Sequence, residues 1–416
     1  MKILVYSLNF SPELVGCARY NSEMTEFLLK QGHEVRVICA PPYYPQWQVQ
    51  KPFSAFAYYK SDLAQNFAVG SLKTKGRIIR CPLYVPKIPT GTRRLLHLGS
   101  FALSSLPAVA SMIAWKPDKV FAVAPTLAVA PAAAFLAKLC GAVAWLHVQD
   151  FELDAAFEIG LLKSPWLSLV ARSIEKQIFA LFSVVSTISP QMLQKLETKG
   201  VSATRTFLFP NWVNIEKIRP LSDSGAFRRK LGIGADQVVC LFSGNLGIKQ
   251  GLEMVMSAAG ELRHHENLKF VVCGSGALRQ KLEEFSRNCT NFLVIDLQPP
   301  ELLNELLNMA DIHLLPQMSN AADLVMPSKL TGMLASGRPV VASALPDSGI
   351  GTILRDCGLV SPPRDTLTFS RNILALAHDE AWRRKLGGSA RQYAVENLSS
   401  EMILNRFHER LKKQVR

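Results

Sequence analysis

Short apolar runs alternate with helix-length amphipathic stretches along most of this chain, and that rhythm most limits what it can fold into. Parallel strands need helical crossovers, and strands covered on both faces read as near-continuous apolar segments. Residues 2–7, 34–40, 119–124 and 143–147 read as strands, with helices over 18–31, ended by Gly32, and over 127–139. The rhythm then restarts, with strands over 238–243, 269–273, 292–296, 311–316 and 339–343 and helices over 252–263, 277–287, 299–309 and 328–336. One sheet of so many strands would be unusually wide, so two serial Rossmann-like α/β domains are the economical reading of 416 residues. Pro190, Pro210 and Pro220 interrupt the pattern between 189 and 220. The domains are expected at 1–195 and 196–395, followed by a closing helical segment, 396–416, in which Ile403, Leu404, Phe407 and Leu411 recur at helical spacing.

Hydrophobic residues make up 48% and charged residues 19%, enough for two cores and unlike a disordered chain. Lys and Arg number 47 against 33 Asp and Glu, and the net charge of +14 favours anionic partners, either phosphorylated ligands or an anionic lipid surface. No basic run with interleaved aromatics and no zinc-finger, helix-turn-helix or RNP-type motif is present, so nucleic acid is not an expected partner. Cys17, Cys39, Cys81, Cys140, Cys240, Cys273, Cys289 and Cys357 lack metal-ligand spacing and read as buried thiols of a reducing cytosol. The first strand begins at Lys2 without a basic n-region, apolar h-region or cleavage site, so no export signal is expected. Residues 95–115 carry no Asp, Glu, Lys or Arg and are long enough to span a membrane. Pro107, the Ser and Gly positions and Arg93-Arg94 at the mouth favour instead an interfacial helix with a basic collar, or an ordinary core helix.

Ligands of parallel α/β sheets bind beyond the carboxyl ends of the strands, which directs attention to four loops. Asn9 to Gly16 follows the first strand, where Gly16 permits close backbone approach and the next helix offers free N–H groups; a plain βα loop is the alternative. His147 and Asp150 follow another strand, positioned to orient hydroxyls or share a proton, or else to form a structural pair. Phe242-Ser243-Gly244-Asn245-Leu246-Gly247-Ile248-Lys249-Gln250-Gly251 runs from a strand into a glycine-rich turn with a lysine near the following helix, chemistry suited to a diphosphate leaving group. It lacks the Gly-Lys-Ser/Thr of an ATP-hydrolysing loop. Gly274 and Gly276 bracket Ser275 after the next strand, and Ser328, read as an N-cap, with Lys329 opens a helix that makes a second phosphate site.

Taken in order, several segments carry a family resemblance: Ser-Pro-Glu-Leu-Val-Gly at 11–16, Gly-His-Glu-Val-Arg-Val-Ile at 32–38, Ala-Pro-Pro-Tyr-Tyr-Pro-Gln-Trp at 40–47, Cys-Pro-Leu-Tyr-Val-Pro at 81–86, Arg-Leu-Leu-His-Leu-Gly-Ser-Phe at 94–101, His-Val-Gln-Asp at 147–150, Phe-Pro-Asn-Trp at 209–212, Ser-Gly-Asn-Leu-Gly at 243–247 and Pro-Ser-Lys-Leu-Thr at 327–331. The chain resembles the retaining GT-B-fold glycosyltransferases of family 4, most closely their colanic-acid and exopolysaccharide members. That resemblance implies two Rossmann-like domains facing each other across a cleft, with a last helix crossing back to the first. It implies a nucleotide-diphospho-sugar donor on the C-terminal domain, a GDP- or UDP-sugar, GDP-fucose included, and an acceptor on the N-terminal domain. The acceptor would be a polyprenyl-diphosphate-linked saccharide. By the same resemblance Gly16 lies near the donor diphosphate, His147 near the transferred sugar and Lys249 on the diphosphate.

Catalytic roles are thus expected for His147, Asp150 and Lys249, and substrate binding for Gly16, Asn211, Gly244, Asn245, Gly274, Gly276, Asp323, Ser328 and Lys329. Two departures stand out. Relatives often carry Arg at the position of Asn245, and their paired glutamates fall here near Leu324, beside Asp323, and on Gly332. Ser328 and Lys329 are the expected substitutes. No Asp-x-Asp lies near the glycine-rich loop, so neither a metal nor another cofactor is expected. The protein is expected at the cytosolic face of the plasma membrane, held peripherally. A UDP-sugar 2-epimerase and a catalytically silent nucleotide-sugar-binding partner are the alternatives.

Overall fold

A computed structural model describes residues 1–13, 16–63, 67, 76–88, 90–154, 165–222, 225–247, 250–317 and 327–413. The chain divides into two compact units, Met1–Pro210 with Leu404–Arg416, and Asn211–Ile403.

The first unit is built on β1 (Lys2–Tyr6), β2 (Glu34–Cys39), β3 (Tyr59–Asp62), β4 (Gly76–Arg80), β5 (Lys119–Ala124), β6 (Val143–Val148), β7 (Val184–Thr187) and β8 (Thr206–Leu208). Their spatial order is β3-β4-β2-β1-β5-β6-β7-β8, and every pairing is parallel except that of β3 with β4. β5 and β6 are buried along their whole length, as strands covered on both faces require. Because β8 pairs with β7, this unit runs to Pro210 instead of ending at 195. Residues 396–403 stay with the second unit, and the chain returns to the first from Leu404 onward, within helix Ser400–Lys413. There Phe407 stacks on Phe209 with centroids 4.4 Å apart and meets Phe121 and Trp145 edge-on. Burial of these rings holds the last helix in place.

The second unit carries β9 (Val238–Asn245), β10 (Leu268–Ser275), β11 (Phe292–Ile295), β12 (Ile312–Leu315), β13 (Val340–Ser343) and β14 (Gly358–Ser361), all parallel, in the order β11-β10-β9-β12-β13-β14. This is the doubly wound order, and the winding reverses between β9 and β12. Fully buried Phe242, Leu252, Val255, Phe270 and Leu314 form part of the core beneath helices Leu252–Glu261 and Thr366–His378.

The 95–115 stretch forms two helices, Gly91–Ser104 and Leu106–Trp115, with Pro107 accommodated in the first turn of the second. Leu95, Leu96, Leu103, Leu106 and Ile113 are exposed, which sets it apart from an ordinary core helix.

Candidate functional site

In the second unit the expected donor residues gather where the winding reverses. Gly244 and Gly274 are register partners at the carboxyl ends of β9 and β10. A Cβ on Gly274 would lie 1.9 Å from the Gly244 carbonyl oxygen, so that glycine is demanded by strand packing whatever the ligand. Gly276 is similarly pressed against the Leu246 backbone, and Asn245 stands exposed at the rim. Beside them rises helix Ser328–Ala335. Lys329 Nζ donates to Gln250 Oε1 at 2.6 Å, lies 4.2 Å from the Phe242 ring centroid, and stands 3.7 Å from where a Gly244 Cβ would project. Burial draws its ammonium down to about 7.

Gln250 and Gly251 lead directly into helix Leu252–Glu261, and Gly251 approaches the backbone of Pro316 and Gln317 at the end of β12. Two helix N-termini and one lysine thus border the same strand ends, and free amides with a cation suit a phosphorylated ligand. Ser328 is exposed, but the cap position belongs to Pro327 and no side chain caps the helix, which corrects the expected N-cap role. Asn211 is buried, and its Oδ1 has no protein hydrogen-bond partner. A Cβ at Gly332, where relatives carry a glutamate, would meet Leu307 Cδ1 at 3.3 Å. Lys249 and Asp323 lie outside the described residues.

In the first unit Gly16, at φ 62°, precedes helix Cys17–Lys30 in a conformation that a β-carbon would strain. Asp150 is half-buried, and its charge raises the thiol pKa of Cys17, which places it near the Gly16 turn. His147 does not join them. It lies within β6, 2% exposed, with Nδ1 2.9 Å from Ser186 Oγ and its ring stacked on Phe121. Burial pulls its pKa down to about 3, so the imidazole is held neutral here. The strand simply runs one residue past it.

Around Gly16 the structure gathers residues that had no assigned role. Glu13, 3% exposed, accepts from the Tyr43 and Tyr44 amides at 2.7 and 2.8 Å and from Asn9 Nδ2 at 2.9 Å. Burial raises its pKa against the pull of those donors. His97 donates from Nδ1 to the Tyr84 carbonyl at 2.6 Å, since a carbonyl only accepts, which leaves Nε2 to receive the Tyr43 hydroxyl at 3.0 Å. Glu152 accepts the Leu127 amide, and Arg94 acts electrostatically on Tyr43, Tyr44 and Glu152. Glu13, Tyr43, Tyr44 and His97 all sit inside the matched segments, but their pairing across the sheet leaves no local periodicity to read. Among the described residues, no cluster of three His, Cys, Asp or Glu side chains has metal-site geometry.

Two Rossmann-like sheets, the second with helix amides and a lysine at its strand ends, have the GT-B architecture. The fold matches sucrose-phosphate synthase from Thermosynechococcus elongatus with TM-score 0.75 at 17% identity, covering 99% of this chain and 98% of that one. It also matches Anabaena HepE in complex with UDP, with TM-score 0.69 at 14% identity, covering 99% and 100%. Residues 15–212 match the family described as glycosyl transferase 4-like domain and residues 223–393 the family described as glycosyl transferases group 1. Over 414 residues the chain is 40% identical to WcaI of Escherichia coli (strain K12), named for colanic acid biosynthesis glycosyl transfer, with 98% of each covered. The chain belongs to the glycosyltransferases that join a 4-like domain to a group 1 domain.

Proposed function

We propose that the protein transfers a sugar from a GDP- or UDP-sugar to a polyprenyl-diphosphate-linked saccharide, with retention of anomeric configuration, during exopolysaccharide assembly. The observation that carries this reading is the Lys329–Gln250 pair set over Gly244 at the strand ends of the second unit. A departing nucleoside diphosphate gains negative charge in the transition state, and preorganised donors in a partly dry site lower that barrier. Lys329, the helix start at Ser328 and, by sequence position, Lys249 supply that charge. Because protein cations are assigned to the leaving group, turnover is expected to persist in EDTA. The UDP in the HepE structure and the colanic acid name of WcaI support the donor and pathway class. Asp150 beside the Gly16 turn is assigned to orient the attacking acceptor hydroxyl.

The exposed Leu95, Leu96 and Leu103, with exposed Arg93 and Arg94 at the start of the same helix, and Leu106 of the next helix support peripheral seating on the anionic inner leaflet, where a lipid-linked acceptor resides. The test is incubation of a UDP- and GDP-sugar panel with and without polyprenyl-diphosphate-linked saccharide. Acceptor-dependent release of nucleoside diphosphate with a lengthened saccharide supports the reading. Isomerised nucleotide sugar formed from donor alone would replace it with an epimerase, and donor binding without turnover by a silent partner.

A further inference from the structure

The Ala-Pro-Pro-Tyr-Tyr-Pro-Gln-Trp segment leaves β2 at its carboxyl end. Tyr43 is fully packed, its hydroxyl tied to His97 and its amide to Glu13, so it anchors the segment. Tyr44 and Trp47 are half-buried beside it. Trp47 meets Tyr43, Tyr44 and His97 with ring centroids 5.6, 6.4 and 5.2 Å apart. Its backbone sits at φ 54°, a left-handed conformation that is costly for a bulky residue and persists only where the surroundings enforce it. Glycine would adopt that turn without strain, so the ring packing is what holds Trp47 in it.

We infer that Tyr44 and Trp47 form a stacking platform for the acceptor sugar, the pyranose whose hydroxyl receives the transferred residue. One face of a pyranose presents C–H bonds, which seat on the electron-rich face of an aromatic ring, while its rim hydroxyls need polar partners. Exposed Arg94, whose charge reaches both tyrosines, supplies such a partner, while the buried Glu13 carboxylate, pinned to the Tyr43 and Tyr44 amides, holds the segment in place. Arg94 opens the same helix whose next residues, Leu95 and Leu96, are exposed. A saccharide on the aromatic rings, a diphosphate at Arg94 and a lipid chain along the leucines follow in the order in which these groups are joined in a lipid-linked acceptor. The inference rests on the transferase reading and names where its second substrate sits.

Trp47→Gly provides the test: glycine adopts φ 54° without strain, the lost ring packing is expected to lower Tm, and retained nucleotide binding shows that the variant is folded. With polyprenyl-diphosphate-linked saccharide as acceptor, Trp47→Gly is expected to raise the acceptor KM by about tenfold or more, as loss of one stacking ring does elsewhere. Trp47→Phe, which keeps a ring, is expected to restore most of it, and Tyr44→Leu to raise KM in the same direction. Titration with UDP and GDP is expected to give dissociation constants within twofold of wild type for all three. An acceptor KM within twofold of wild type in a folded Trp47→Gly protein would overturn the platform while leaving the transferase reading intact. A Trp47→Phe protein as impaired as Trp47→Gly would overturn it too, by showing a purely structural indole. Absence of transfer by the wild type would overturn both.

Discussion

Lys329 shows how one side chain couples a fold to its ligand. Its ammonium, ordinarily near 10.5, is drawn to about 7 by burial, so between those values the unfolded chain holds a proton that the folded one lacks. Stability therefore rises with pH across that window. A bound diphosphate reverses the balance by favouring the charged amine, so nucleotide binding at pH 8 is expected to take up a proton and to weaken as pH rises further. Calorimetric titration of UDP and GDP in buffers of different ionisation enthalpy measures that uptake, which Lys329→Met should abolish. Lys249→Ala is expected to lower turnover by about 10²-fold, the result of losing about 3 kcal/mol at the leaving group. Turnover within a few-fold of wild type would remove Lys249 from that role. Gly244 and Gly274 were selected because each closes a short apolar run, and the structure sets them side by side at the carboxyl ends of β9 and β10, with Lys329 in the helix beside them. His147 was read as following its strand because no turn residue marks the strand's end, whereas β6 runs on to Val148 and His147 is buried within it. Gly274 was selected as a ligand residue, yet the Gly244 carbonyl suffices to require it.

Among elements, helix Ser400–Lys413 was readable from its apolar spacing, and its partners were not. Phe407 packs with Phe121, Trp145 and Phe209, residues scattered over the first unit, so no window of sequence contains the contact. The edge strand β3 is largely polar and β8 only three residues long, so neither offers an apolar run to read, and β4, β7 and β14 also escaped notice. The same helix brings His408 Nε2 to 2.8 Å from His33 Nε2, an arrangement that needs at least one neutral ring. Burial first, then the Met1 ammonium, lowers His33 to about 4, and burial and Lys412 lower His408 against the opposing pull of Glu409. Both lie below the ordinary 6.5, so their contribution to stability is present above that pH and lost as pH falls toward 4. Acid titration of the unfolding midpoint is expected to show this loss, and His408→Gln to flatten it. An unchanged acid profile in the variant would remove the pair from the account.

For the whole molecule, the alternation of strands and helices specified two Rossmann-like sheets, and the proline-interrupted stretch announced the passage between them. What the pattern missed was the exact allotment of chain, since β8 and the tail join the first unit through pairings made far along the sequence. The surplus of basic residues and the exposed apolar helix face Leu95–Leu96–Leu103 lead to a prediction at this scale. The protein is expected to sediment with anionic vesicles at low ionic strength and to be released by salt, whose screening acts within about 10 Å at 0.1 M. Retention that salt does not affect would point to insertion of the 91–115 helices. The account as a whole depends on a nucleotide diphosphate lodging over Gly244 beneath Lys329, and a thermal-shift panel of nucleotides and nucleotide sugars on wild type and Lys329→Met reads this most directly. At least one uridine or guanosine diphosphate ligand should raise the wild-type Tm and lose most of that effect in the variant; no shift with any nucleotide, or equal shifts in both proteins, would contradict it.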